Sequence, residues 1–399
     1  MHFDWLPPLP ATQRARELYT ARVLSRAKPR YNRDRIRLER IRNIHPLLRS
    51  SLEGELRAAL PHVDDWKEGP RFDELLHLLP SMDDTYFAFD AWVLRSLLET
   101  FNGQAVGLSG AIIPSYWNEW QWARTNLPRF QHGQPQGGRS LEFIRIRRSG
   151  QAQPVLDDLV WMVHEVGHHL FSVYHDALPT RFLPALEAVL LDLNVGMLND
   201  KGHARELAER HLDQLRAVWT PTGKQQDWTH ELAIDALSLW VAGPAYALAF
   251  MDEYREAPDR HNPHQLDQHP PIRMRAEALR NAATTLGWTE AADGLRRLMA
   301  AWSARPHDAS DSNVYASLIL PELVGAAQQA AWQVARDLCI QPFTPEDLRR
   351  VEQALDAPDE LESRDLMVAA WRQRERLPSL SALEAWEGAV VDQTLAVIS

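Results

Sequence analysis

Residues 160–171 read VWMVHEVGHHLF, three histidines and one glutamate set in an otherwise apolar run. On an α-helix successive residues turn by about 100°, so positions four apart point nearly the same way. His164 and His168 therefore share a face, whereas His169 is turned about 140° from His164. The pattern is H-E-x-x-H, in which two imidazoles hold zinc and the glutamate between them, here Glu165, acts as general base on a bound water. Asp157 and Asp158 suit the N-terminal end of such a helix, and Leu159, Val160, Val163 and Leu170 supply its apolar face. Gly167 costs about 1 kcal/mol in a helix interior relative to alanine, which implies that something packs closely against it.

The rest of the composition bounds what such a site can serve. The 399 residues are long enough for two or three domains or one large helical body. With 45% apolar and 24% charged residues, the chain reads as globular. Its single cysteine, Cys339, can neither form an internal disulfide nor build a sulfur-ligated zinc centre, which fits a reducing compartment. The opening MHFDWLPPLP lacks the pattern of a signal peptide. The longest apolar stretch, Trp240 to Met251, is too short and too broken by Gly243 and Pro244 to cross a bilayer. A cytoplasmic location without a membrane anchor is the expectation.

The net charge of −11 argues against a surface given over to nucleic acid. Its distribution is uneven: residues 1–50 carry +8 and the remainder −19. The basic density peaks in segment 30–42, with Arg33, Arg35, Arg37, Arg40 and Arg42 set among Ile36, Leu38 and Ile41. This is either a helix with a solvated basic face or a strip for a polyanion such as nucleic acid.

Helical periodicity covers most of the chain, over 14–60, 85–101, 181–199, 203–218, 228–255 and 271–285, and again from a linker at 305–313 to about 395. Tyr116, Trp117, Trp120 and Trp122 read as core aromatics. Residues 131–138, QHGQPQGG, read as a loop, and SLEFIRIRRSG, from Ser140, as a strand by the alternation of Ile144 and Ile146 with arginines. Standing just before the histidine helix, that strand is either an ordinary sheet edge or an edge on which an extended peptide pairs.

A catalytic zinc takes three protein ligands and keeps one open position. His175 would lie about 10 Å along the helix from His168, and Phe171 and Tyr174 occupy the positions where a metzincin needs glycine and a third histidine. Glu187, in LPALEAVLLDLN, sits in a helix apolar on nearly every side, where a carboxylate needs a partner. Glu231, in THELAIDALSLW, is followed one turn on by Asp235, placed so that the first could bind metal and the second accept from the far nitrogen of a ligand histidine. Spacing alone favours the plainer reading, a solvated helical pair.

The order HEVGHH, then ELAID, then HPPIRMR resembles the gluzincin metallopeptidases of the CAAX prenyl endopeptidase type, over roughly residues 140–285. That resemblance implies one zinc per chain on His164, His168 and Glu231, with Glu165 as general base. It further implies that Asp235 orients a ligand histidine, that His269 stabilises the tetrahedral intermediate and that Arg275 supports the site. Over 131–300 it implies a zincin-like metallopeptidase core with a small β-sheet or hairpin; with the helical N-terminal region over 1–130 and the helical C-terminal region over 301–399 that periodicity gives, the expected fold is mainly α (α+β). The expected activity is that of a zinc metalloendopeptidase acting on a peptide or protein substrate, away from any membrane. The competing readings are a non-catalytic zinc-containing interaction protein and a regulatory protease of the ImmA/IrrE type that touches nucleic acid through segment 30–42.

Overall fold

The structure is a computed structural model that describes residues 87–102, 112–117, 121–131, 134–147, 156, 158–197, 201–221, 227–255, 269–303, 316–358 and 361–398. The basic segment 30–42, the helical stretch 14–60, the linker 305–313, Trp120 and the side chains of Tyr116, Trp117 and Trp122 lie outside what it describes.

The described part is mainly helical. In chain order it contains α1 (Phe87–Asn102), β1 (Ile112–Trp117), β2 (Gln121–Gln131), β3 (Gln134–Arg147), α2 (Val160–Val173), α3 (Ala177–Gly196), α4 (His203–Trp219) and α5 (Trp228–Ala242). There follow α6 (Pro244–Glu253), α7 (Ile272–Thr285), α8 (Thr289–Ser303), α9 (Pro321–Asp337), α10 (Pro345–Gln353), α11 (Ser363–Arg376) and α12 (Leu380–Ile398). None of these helices is long and apolar enough to cross a membrane.

The chain divides into two compact units, and the division falls inside α2, between Val166 and Gly167. The unit from Gly167–Arg349 is built around α5. All fifteen residues of that helix are buried, because it is apolar on every side and can be satisfied only from every side. α4, α6, α7 and α9 pack against it. Two hydrogen bonds tie it to its surroundings: the indole N–H of Trp332 donates to the carbonyl of Ala236 (3.3 Å) and that of Trp240 to Ile340 (3.0 Å). Gln328 of α9 donates to the carbonyl of Ala278 in α7 at 2.6 Å and so ties those two helices together.

The periodicity over 228–255 predicts one helix, and the structure has two. Gly243 stands at φ +56°, a backbone conformation that ends α5, and Pro244 starts α6 with its φ already helical. A Cβ at Gly243 would also run into the Phe343 ring, so packing as well as backbone conformation calls for glycine at this position.

The other unit holds α1, the three strands, α11 and α12, with α1 packed against β1, α11 and α12. There Arg350 closes a two-pronged pair on buried Asp365, at 2.6 and 3.1 Å. The strand order is β1-β3-β2, β3 running parallel to β1 and antiparallel to β2. This corrects two expectations. Residues 134–138 extend β3 rather than forming a loop, because β2 offers a backbone partner as far as the pair Gln131↔Gln134. β3 is also the central strand: over Glu142–Arg145 it pairs with both β1 and β2, so that part of it is no edge for an added peptide.

Candidate metal centre

The site is assembled on α2 and α5. From Leu159 to Phe171 α2 is buried without interruption, so its histidines and Glu165 are interior groups. His164 is 5% exposed, Glu165 6% and His168 9%. The glycine between them works as the sequence suggests: a Cβ on Gly167 would lie 2.7 Å from Cγ2 of Ile234, so α2 and α5 approach as closely as a missing side chain permits. That contact sets His168 beside Glu231, one turn before Ile234.

Glu231 stands in the first turn of α5, and that turn is fixed by Asp227. One Asp227 oxygen accepts from the backbone N–H of His230 at 2.9 Å, as an N-cap does. The same carboxylate holds the His230 imidazole, with Nδ1 at 3.0 and 2.9 Å from its two oxygens. His230 in turn meets the edge of Phe171 of α2.

His164, His168 and Glu231 each present a ligand atom, and these atoms all lie within 4.8 Å of one another. His168 Nε2 is 3.5 Å from Glu231 Oε1. Two atoms bound tetrahedrally at about 2.1 Å from one ion stand about 3.4 Å apart, so this separation is that of two ligands of a single metal. The three buried side chains are thus close enough to bind a metal ion, and two imidazoles with one carboxylate form a donor set suited to zinc.

The two other candidates for third ligand are elsewhere. Glu187 is exposed: α3 buries only Leu178, Phe182 and Leu186, leaving the opposite face, with Glu187, Leu191 and Val195, in solvent. The expectation that Glu187 is a buried carboxylate thus fails, because apolar residues on a helix do not oblige every face to be covered. His175 is exposed and pairs with Asp176 at 3.2 Å. His169 is buried but does not belong to the cluster.

The downstream residues do converge. Pro270 and Pro271 stiffen the entry to α7, which leaves His269 just before the helix and Arg275 in its first turn. His269 Nε2 reaches to 3.7 Å from Glu231 Oε1, with its side chain 48% exposed. Arg275 is buried, and its Nε and Nη2 donate to the two oxygens of Asp235 at 2.7 Å each. Its Nη1 stands 3.6 Å from Glu231 Oε2.

The contacts of Asp235 include Arg275 and Tyr246, whose hydroxyl donates to Oδ1 at 2.5 Å. Burial opposes the charge on Arg275, but the Asp235 carboxylate outweighs it and holds the guanidinium pKa well above its ordinary value. Burial, reinforced by the negative charge of Asp235, likewise raises the Tyr246 hydroxyl well above the usual tyrosine range, against the opposing pull of Arg275. The site at neutral pH therefore contains a charged guanidinium and a protonated phenol. Tyr246 escapes a sequence reading because it lies beyond the Gly243 break, with no motif spacing to announce it.

Compared with protein-family models, curated proteins and solved structures, the chain matches none.

Proposed function

We propose that the chain is a zinc-dependent metallopeptidase with a zincin-like core, in which His164, His168 and Glu231 hold the ion. The observation that carries this reading is the convergence of the three buried ligand atoms from two helices, 63 residues apart between His168 and Glu231. Charge supports it too. Glu231 and Asp235 are two buried carboxylates beside one guanidinium, and Oε1 of Glu231 faces the histidines, where a further positive charge is favourable.

When bound, zinc lowers the pKa of a water toward about 7 and polarises a carbonyl. Glu165, adjacent to His164 in the same helix, takes a proton from the attacking water and passes it to the departing amine as the C–N bond breaks. His269, half exposed at the rim of the cluster, donates to the oxyanion that forms on the scissile carbonyl. Asp235 holds Arg275, and Arg275 faces the carboxylate of Glu231.

The test is metal analysis of protein purified without chelator, paired with digestion of an unfolded protein substrate by wild type and Glu165→Gln. About one zinc per chain, with cleavage by wild type only, is the expected result. Zinc without cleavage by either form would assign the centre to a non-catalytic protein, and protein without zinc would end the reading.

A further inference from the structure

We propose that Tyr246, acting through Asp235 and Arg275, is a positioning residue that restricts Glu231 to donating a single oxygen to the metal. This rests on the metal-centre reading above and goes beyond it by fixing how the third ligand binds.

The argument starts from the division of labour between the two oxygens of Glu231. Oε1 is 3.5 Å from His168 Nε2 and 3.7 Å from His269 Nε2, so it belongs to the histidine side. Oε2 is the oxygen on the guanidinium side, 3.6 Å from Arg275 Nη1. For both oxygens to ligate, each must come to about 2.0–2.2 Å from the ion, and Oε2 would have to leave the guanidinium. That guanidinium cannot follow. Its other two nitrogens are held at 2.7 Å by Asp235, and it lies over the Phe250 ring, 5.8 Å from the ring centre.

Asp235 is itself prevented from turning. Its Oδ1 accepts from both Arg275 Nη2 and the Tyr246 hydroxyl, the latter at 2.5 Å. Tyr246 is fully buried, and its ring is carried on α6, whose direction is set by the break at Gly243. The connected set runs from Tyr246 through Asp235 and Arg275 to Glu231, each member no more than 4% exposed. Buried charged groups gain most from such pairing and lose most when one partner is withdrawn. The phenol thus fixes the carboxylate, the carboxylate fixes the guanidinium, and the guanidinium keeps Oε2 from the ion. The outcome is a centre of low coordination number with a corner left for water.

The experiment uses cobalt(II) as a visible probe on the full chain, comparing wild type, Tyr246→Phe, Arg275→Lys and His168→Ala. Wild type is expected to bind about one cobalt with the intense visible bands of four-coordinate geometry. Tyr246→Phe removes only a hydroxyl; it should weaken cobalt binding about 10- to 100-fold, the usual effect of removing an outer-shell partner, and shift the bands toward the weaker absorption of higher coordination. Arg275→Lys keeps the charge but not the fork, and should shift the spectrum in the same direction. If both variants fold, by circular dichroism, and bind cobalt with wild-type affinity and spectrum, the clamp is overturned while the metal centre stands. If Tyr246→Phe does not fold, Arg275→Lys alone decides by the same criterion. If wild type binds no cobalt, or His168→Ala binds it as wild type does, the metal-centre reading falls and the clamp with it.

Discussion

A Cβ built on Gly167 would stand 2.7 Å from Cγ2 of Ile234, in the interior where α2 crosses α5. Ile234 is fully buried and, being β-branched, has little rotamer freedom with which to give way. Gly167→Ala should therefore cost about 1–3 kcal/mol through overpacking, reduced by the gain of up to about 1 kcal/mol that alanine brings to a helix. Because the strain falls between His168 and Glu231, metal affinity should fall as well. Gly196, at the end of α3 with nothing within 4 Å of a Cβ, is the control: alanine there should leave metal affinity unchanged and cost no stability, adding at most about 1 kcal/mol. Denaturant midpoints and titration against a competing chelator check the pair.

Metal content should follow the cluster and ignore the discarded candidates. His164→Ala, His168→Ala and Glu231→Ala are each expected to reduce zinc from about one per chain to a small fraction of that. Glu187→Ala and His175→Ala, altering exposed groups, should retain it. Elemental analysis after gel filtration reads the outcome directly, and loss of zinc from Glu187→Ala would contradict the assignment.

His269→Ala should separate binding from turnover. Its side chain lies at the rim, so the expected effect is a fall in kcat of about 10²-fold with metal content intact and KM little altered. An equal loss of metal would make His269 a ligand instead.

Breaking the Asp235 pair should be among the costliest single changes in the protein. Asp235→Ala leaves a buried guanidinium without its carboxylate, at about 3–5 kcal/mol. Replacing both partners together, Asp235→Leu with Arg275→Met, should recover much of that stability without recovering the site. Chemical denaturation of the two variants measures the difference.

The pH dependence has a definite sign on the alkaline side. Tyr246 and Arg275 both have folded-state pKa values raised above their ordinary ones, so each contributes stability fully below its unfolded value and loses it only as pH rises through the folded one. Below about pH 10, the unfolded tyrosine value, neither group should therefore introduce a transition. In an ultraviolet titration Tyr246 should ionise only with alkaline unfolding, and Tyr246→Phe should remove one phenol from that late step.

Parts of this site were legible in the sequence because they depend on spacing. Two histidines one turn apart share a face in any helix, and Glu231 and Asp235 do the same four residues apart. The glycine in HEVGHH announced a close contact, and Ile234 supplies it. What stayed hidden has no period. The stretch from Trp240 to Met251 is apolar in all directions, so although Gly243 and Pro244 interrupt it, no periodicity shows that Tyr246 returns to Asp235. Asp227 and His230 look like an ordinary polar helix start, although both are buried. Glu187 misled because a run of leucines reads as interior, whereas α3 turns Leu191 and Val195 outward along with it.

The cap that Asp227 places on α5 is made of protein groups alone, and it settles where Glu231 stands before any ion arrives. Stripping the protein with a chelator should accordingly be a local vacating of a seat: the far-ultraviolet spectrum would persist, and reloading would proceed at the pace of ligand exchange and desolvation, with no folding step to wait for.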